Sequence, residues 1–255
     1  MDLGYTVAGL AVGFIVGLTG VGGGSLMTPI LLWFGISPAT AVGTDLLYAA
    51  VTKAGGVAVH HRQKHIDWRI TLHLSLGSVP AAMLTLGLLS WMHVPAQVMD
   101  ALFRFVLGVA LLLTAGAILC KPWLIRLGQK HFGGLGVGER WWPTALVGVM
   151  LGVLVTLSSI GAGALGTLAL FLLYPALPTS RLIGTEIAHA VPLTLVAGLG
   201  HASMGHLDWL LLLKLLSGSL PGIWLGSKLT GKLSDHWLRP ALAVMLALAG
   251  VKLVL

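Results

Sequence analysis

Long apolar runs separated by short polar stretches form the pattern of this chain. The runs cover about residues 5–19, 24–35, 39–59, 70–91 and 100–120, and then about 143–157, 164–174, 179–200, 208–227 and 237–255. No charged residue lies between Asp2 and Asp45, although a helix needs only about 20 apolar residues to cross a bilayer. The pattern therefore predicts several membrane helices, with more than one of them before Asp45.

A glycine cluster interrupts the first apolar run. It reads Thr19-Gly20-Val21-Gly22-Gly23-Gly24-Ser25, and glycine at this density breaks a helix because its backbone freedom makes helical order costly. We expect two short helices that flank an irregular turn. Irregular backbone at membrane depth persists only where protein or a water-filled cavity satisfies its N–H and C=O groups. The turn is therefore a candidate binding site.

The second series of apolar runs repeats the first. One constant offset, the one that carries His60 onto His201, aligns the two series without a gap. The matched positions are Gly20 with Gly161, Gly22 with Gly163, Gly43-Thr44-Asp45 with Gly184-Thr185-Glu186, His65-Ile66-Asp67-Trp68 with His206-Leu207-Asp208-Trp209, and Gly77-Ser78-Val79-Pro80 with Gly218-Ser219-Leu220-Pro221. The sequence thus predicts a first repeat over 1–120, a basic cytoplasmic linker over 121–141 and a second repeat over 142–255, joined in one integrated membrane domain.

The composition excludes a water-soluble globule. Hydrophobic residues make up 56% of the chain, charged residues only 9%, and the mean hydropathy is +0.95, which predicts an all-α polytopic membrane protein whose partner is the lipid bilayer. The net charge of +7 does not indicate a nucleic-acid partner, because the basic residues cluster as loops on the cytoplasmic side of a membrane do. The clusters are Arg62, Lys64 and Arg69; Lys121, Arg126, Lys130 and Arg140; and Lys228, Lys232 and Arg239.

The positions of these clusters also predict how the halves are oriented. In the first half the loop at 61–69 is basic and the loop at 91–100 carries no Lys or Arg, whereas in the second half the loop at 201–208 carries none and the loop at 228–239 is basic. The basic loop thus comes first in one half and second in the other. This predicts two homologous four-segment halves in inverted orientation, with re-entrant helices at the glycine-rich turns. The alternative is eight spans in two parallel halves, each beginning with a broken crossing.

Several of these residues resemble the TauE/SafE family of sulfite and organosulfonate exporters. The resemblance rests on Gly13-x3-Gly17-x2-Gly20-Val21-Gly22-Gly23-Gly24 followed by Pro29, on Ala41-Val42-Gly43-Thr44, on His60 and on Ile66-Asp67-Trp68. It covers nearly the whole chain and implies a multi-pass carrier of the inner membrane that exports small organic or sulfur-containing anions, such as sulfite, sulfoacetate or other sulfonates, by alternating access. A homodimer is compatible with this picture. The chain departs from the family where Asp45 and Glu186 follow Gly-Thr.

The two glycine turns are the predicted site for the anionic solute. A broken helix presents free N–H groups and the positive end of a helix dipole, and together these bind anions. The predicted binding residues are Thr19, Gly20, Gly22, Gly23, Gly24, Ser25 and Thr44 in the first half and Ser158, Ser159, Gly161, Gly163 and Thr185 in the second. The alternative is that these small residues serve close packing between helices.

Proton coupling is a further hypothesis, and its candidates are Asp45, Glu186 and His189. Acidic groups inside a membrane segment are costly and therefore mark functional positions, and His189 follows Glu186 by three residues on the same helix face. The alternative has Asp45 near the interface, paired with Lys53 or accepting N–H bonds at a helix start, and His189 in a packing role. Lys53 is the one basic residue well inside a span, where an anion path could use it, but we expect its long side chain to snorkel toward the His60 to Lys64 loop.

Other functions compete with that of an anion carrier. A proton-coupled carrier of a neutral or cationic solute is the nearest alternative, because of the two acidic residues. An intramembrane enzyme is less consistent with the sequence, which contains neither HExxH nor GxSxG and distributes its polar groups symmetrically between the repeats. We therefore predict no enzymatic activity, no cofactor and no metal site.

Overall fold

The computed structural model describes residues 2–19, 24–92, 95–132, 140–229 and 235–254. Within these ranges the chain is all helical, with no strand, as the sequence predicts. The helices are α1 (Asp2–Thr19), α2 (Gly24–Trp33), α3 (Pro38–Arg62), α4 (Trp68–Trp91), α5 (Ala96–Phe132), α6 (Trp141–Ser158), α7 (Ala164–Leu173), α8 (Thr179–Ser203), α9 (Trp209–Leu229) and α10 (Asp235–Val254).

Five of these helices, α4, α5, α6, α8 and α9, are long and apolar enough to cross a membrane. Large apolar side chains also cover the outside of the bundle. On α4, for example, Leu84 and Trp91 are 75% and 76% exposed, which is costly in water and favourable in lipid. The prediction of an all-α membrane protein is therefore confirmed, and these five helices are candidates for membrane spans.

Polar residues at the loops account for the starts of several helices. Ser37 precedes α3, where its hydroxyl accepts a hydrogen bond from the Thr40 N–H and Pro38 takes the first helical position. Asp67 caps α4, and its Oδ1 accepts from the N–H groups of Arg69 and Ile70 in the first turn. Asp208 accepts from the Leu211 N–H at 2.9 Å in the first turn of α9. These caps satisfy N–H groups that a helix start leaves unpaired.

The helices pack in pairs. The principal contacts are α1 with α9, α4 with α6, α3 with α8, and α5 with α10. The matching helices of the two halves are α1 and α6, α3 and α8, α4 and α9, and α5 and α10. When each helix is replaced by its match, the same set of contacting pairs results. The bounds of α3 and α8 also correspond at the offset of the sequence repeat, because Pro38 matches Thr179 and Arg62 matches Ser203.

Glycine contacts define the direction of the α1–α9 pair. A Cβ on Gly9 would stand 2.4 Å from the Leu215 carbonyl oxygen, and one on Gly13 would stand 2.4 Å from that of Ser219. The residue numbers rise together, so α1 and α9 run in parallel. Close backbone approach of this kind requires small residues.

The α4–α6 pair has the same arrangement, with Gly148 and Gly152 in the places of Gly9 and Gly13. Gly9 and Gly148 are separated by slightly fewer residues than the constant separation that the sequence predicts between matching positions of the two halves. The physical reason is length, since the segment between α6 and α8, at 159–178, is longer than the segment between α1 and α3, at 20–37.

Helices α3 and α8 run antiparallel at the centre of the bundle. A Cβ on Gly43 would stand 2.0 Å from the His206 carbonyl oxygen, and at the other end one on Gly184 would stand 2.4 Å from that of His65. Between these crossings Gly198 lies against Leu47. At each end of the α3–α8 pair, the loop that follows one helix therefore packs against a glycine of the other helix.

Each glycine turn joins two helices whose outer ends meet. In the first half the rings of Tyr5 and Phe34 are 5.2 Å apart, which joins the start of α1 to the end of α2. In the second half the hydroxyls of Thr144 and Tyr174 are 2.6 Å apart, which joins the start of α6 to the end of α7. Arg140 adds a hydrogen bond to the Leu173 carbonyl oxygen. In each half the start of the first helix of the pair therefore lies close to the end of the second.

Helix α5 continues into the stretch predicted as a basic linker. It runs to Phe132 instead of ending near residue 120. Its extension packs on α7, because Lys121 lies 4.4 Å from the ring centroid of Phe171 and Gly128 lies against the Leu172 backbone. These contacts explain why the helix persists beyond the apolar run.

Candidate functional site

The second glycine turn is a defined, buried connection between α6 and α7. Ser159 ends α6 in the left-handed conformation with φ of 57°, and Gly161 has φ of 120°, a region that favours glycine. The Ser158 hydroxyl donates to the Leu154 carbonyl oxygen at 2.6 Å and accepts from the Ile160 N–H at 3.1 Å. Gly163 precedes α7 and offers no side chain to cap it. The turn therefore combines irregular backbone with an uncapped helix start, as the sequence predicts.

The first glycine turn falls mainly outside the described residues. Gly20, Gly22 and Gly23 are not described, while Thr19 ends α1 and Gly24 and Ser25 begin α2. Their assignment to the anion site stays a prediction.

Lys53 points into the protein, next to the second turn. Its exposed fraction is 8%, its Nζ donates a hydrogen bond to the Ala162 carbonyl oxygen, and Nζ lies 3.8 Å from Glu186 Oε1. Glu186 is only 2% exposed. The expectation that Lys53 snorkels toward the membrane surface is wrong. In the protein interior the ammonium group contacts both a carbonyl oxygen and a carboxylate, and these stabilise it better than the loop after His60 would.

Asp45 lies on the other side of the same turn. It is fully buried on α3 and accepts a hydrogen bond from the hydroxyl of Thr28 on α2. The Ser159 hydroxyl lies next to the same carboxyl group, and Lys53 is close enough to interact with it electrostatically. The second turn therefore brings Asp45, Glu186 and Lys53 into one electrostatic cluster, with Ser159 at one side and Ala162 at the other.

His189 faces α4. It is fully buried, and its Nε2 is 2.8 Å from the Ser78 hydroxyl, so this hydrogen bond holds the ring toward α4. Its Nδ1 has no hydrogen-bond partner among the described residues. The matching residues in the other half are Tyr48 and Ser219, and both are buried. In the sequence, only the duplicated Gly-Ser-x-Pro context marks Ser78 as a candidate.

Thr44 and Thr185 serve the loops instead of facing the turn. The Thr44 hydroxyl accepts from the Asp208 N–H at 3.3 Å, and the Thr185 hydroxyl accepts from the Asp67 N–H at 2.9 Å. Both hydroxyls thus join a loop to the start of the opposite central helix. Their predicted role in solute binding gains no support from these contacts.

The cluster has the composition of a transport site. Its groups are buried between α3, α7 and α8, and two carboxyl groups share the electrostatic field of a single ammonium, that of Lys53. Buried charges at this depth are costly and mark ion or solute pathways. Among the described residues no group of three metal-ligating side chains is present, so nothing in this part of the chain indicates a metal centre.

Known proteins resemble this chain over nearly its whole length. A family model described as Sulfite exporter TauE/SafE matches residues 5–253. The chain is 39% identical to the probable membrane transporter protein YjnA of Bacillus subtilis, over 100% of both chains. It is 28% identical to the probable membrane transporter protein YdhB of the same organism, over 95% of this chain and 96% of that one, and 25% identical to the probable membrane transporter protein MJ0441 of Methanocaldococcus jannaschii, over 96% and 94%. No solved structure matches it.

Proposed function

Because the chain belongs to the TauE/SafE sulfite exporter family, we propose that this membrane transporter moves a small organic or sulfur-containing anion, such as sulfite, sulfoacetate or another sulfonate. We propose further that it is a multi-pass secondary exporter of the inner membrane, that it works by alternating access, and that protons drive it. It acts as a carrier and not as an enzyme.

The observation that carries this proposal is the buried ammonium group of Lys53 beside the second glycine turn. An anion that leaves water needs positive charge and hydrogen-bond donors to replace its hydration. Lys53 supplies charge and donors, and the uncapped start of α7 supplies N–H groups and the positive end of a helix dipole. The site lies between central helices, where carriers built from two halves bind their solutes.

We also propose that the halves are inverted repeats with re-entrant hairpins. Three observations support this: the matching helices α3 and α8 run antiparallel, the helix pairs are preserved when the halves are exchanged, and in each half the start of the first helix lies close to the end of the second. In parallel halves, matching helices would run in the same direction. Inversion suits alternating access because the two halves can exchange conformations.

Proton coupling is proposed because the cluster holds more acidic than basic groups. With Asp45 and Glu186 both ionised against Lys53, the cluster has an excess negative charge and repels an anion. A proton on either carboxyl group removes this repulsion. The same excess charge favours the alternative, a proton-coupled carrier of a neutral or cationic solute, so the experiment must include such a solute.

The test is the current in proteoliposomes when sulfite, sulfoacetate, acetate or an organic cation is added outside, with and without a pH gradient. The variant is Lys53→Gln, and the matched control is Lys130→Gln, at an exposed position near the end of α5. We expect currents with sulfite or a sulfonate that Lys53→Gln abolishes and the control retains. Currents with cations only, or anion currents that survive Lys53→Gln, would refute the anion proposal.

A further inference from the structure

Glu186 occupies the position that an anion needs in this site. Its carboxylate lies between the Lys53 ammonium group and the first turn of α7. We propose that Glu186 is an internal substitute for the transported oxyanion, which holds Lys53 while the site is empty and gives it up when Glu186 takes a proton. This inference rests on the proposed function, because it concerns the same site, and it names how proton and anion are coupled there.

The contact between Glu186 and Lys53 is one that a solute can replace. The two charged atoms are 3.8 Å apart, beyond the range of a good hydrogen bond. Oε1 of Glu186 has no hydrogen-bond partner among the described residues, although it is buried. Among the described residues this oxygen is therefore held by charge and not by a directed bond, and an oxyanion of similar size would be attracted to the same place.

The first turn of α7 is shaped around this carboxylate. Gly166 is the third residue of α7, and a Cβ there would stand 3.0 Å from Glu186 Cγ and 3.2 Å from Oε1. The missing side chain lets the carboxylate approach a helix start that has no side-chain cap, while the Gly166 N–H itself donates to the Gly161 carbonyl oxygen at 2.9 Å. A lysine together with a helix N-terminus is a combination that favours a bound oxyanion.

The charged surroundings explain why a proton must enter with the anion. From α3, Lys53 faces Glu186, and Lys53 also interacts with Asp45 on its own helix and with His189 on α8. Helix α7 contributes no titratable side chain. While Glu186 is ionised it competes with the solute for Lys53 and repels it. Protonation of Glu186, with the proton taken from solvent, removes both effects, so one proton accompanies each anion bound.

The experiment measures sulfoacetate binding to the full-length protein in detergent, by calorimetry, between about pH 6 and pH 9, where both acidic groups of the probe are ionised. We expect the wild-type dissociation constant to rise about tenfold per pH unit at the alkaline end, and that of Glu186→Gln to change less than about twofold over the range. Asp100→Asn, on α5, is the matched control and should keep the wild-type slope.

Two further measurements keep the test valid if Glu186→Gln folds poorly. In weakly buffered solution at the alkaline end of this pH range, wild-type protein should take up about one proton per sulfoacetate bound. Gly166→Ala should weaken binding at least about tenfold by filling the space beside Glu186, whereas Gly55→Ala, with no atom within 4 Å of its Cβ position, should bind as wild type.

The outcomes separate the two proposals. Binding with the wild-type pH slope retained in Glu186→Gln, or binding without proton uptake, would overturn the role of Glu186 and leave the anion carrier standing. Failure of wild-type protein to bind either sulfoacetate or sulfite at any pH would overturn both.

Discussion

Replacing Lys53 by glutamine would leave Glu186 buried opposite an uncharged group. At the observed 3.8 Å between Nζ and Oε1, an effective dielectric constant of about 20 gives an attraction of about 4 kcal/mol. Breaking a buried ion pair from one side typically costs about 3–5 kcal/mol. For a chain of this size, each kcal/mol lowers the melting temperature by about 2–4 °C, so we expect Lys53→Gln to melt about 10 °C below wild type.

The double variant Lys53→Gln/Glu186→Gln isolates the cause of this loss. Because it removes the unpaired carboxylate, we expect it to regain most of the lost stability, and the loss in the single variant should shrink at low pH as Glu186 takes a proton. The assay is thermal unfolding in detergent, followed by the fluorescence of the nine tryptophans, with Lys130→Gln as control. Melting of Lys53→Gln within about 2 °C of wild type, or a double variant less stable than the single one, would show that the ion pair of Lys53 and Glu186 does not stabilise the fold.

Three further predictions concern the packing around the central helices. Gly43→Ala should cost about 1–3 kcal/mol because its Cβ would overlap a loop carbonyl, and Gly55→Ala, which faces open space, should leave the melting temperature unchanged. Ser78→Ala should cost about 1–3 kcal/mol because it removes the partner of the buried Nε2 of His189, and a smaller loss in unfolding experiments would contradict this bond. Burial lowers the pKa of His206, in the loop before α9, below its usual value. The unfolded chain therefore binds this proton more readily, stability falls as the pH drops below about 6.5, and His206→Gln should reduce that acid sensitivity.

The order of the helices and their repeated spacing along the chain follow from the sequence, but the role of Lys53 does not. Apolar runs and the duplicated Gly-Thr-acid motif depend on neighbouring residues, so pattern alone predicts α3 and α8. The direction of the Lys53 side chain depends on the carbonyl of Ala162, which is distant in the sequence. A long, flexible side chain is compatible with either direction, and only tertiary structure decides between them.

The sequence also does not predict which side chains contact the buried acidic residues. The depth of Asp45 in an apolar segment predicts a functional carboxyl group; the structure buries Asp45, and its function stays a prediction. Its partner Thr28 lies on a helix whose position depends on the glycine turn, and no local signal marks it. The alternative that places Asp45 near the interface in a pair with Lys53 differs from the structure, in which Lys53 pairs with Glu186.

One end of the central helix pair is fastened more strongly than the other. Arg181 lies 2.9 Å from Asp67, with exposed fractions of 44% and 12%, and its counterpart in the first repeat is the uncharged Thr40, which is hydrogen-bonded to Ser37. If the protein works by alternating access, as proposed, an ion pair that the described residues show at one end only would make the two facing states unequal in energy. A half-exposed pair is worth up to about 1 kcal/mol, which is a population ratio of up to about five. The molecule would then have a preferred resting side, and raising the salt concentration, which screens such a pair, would even out the two populations.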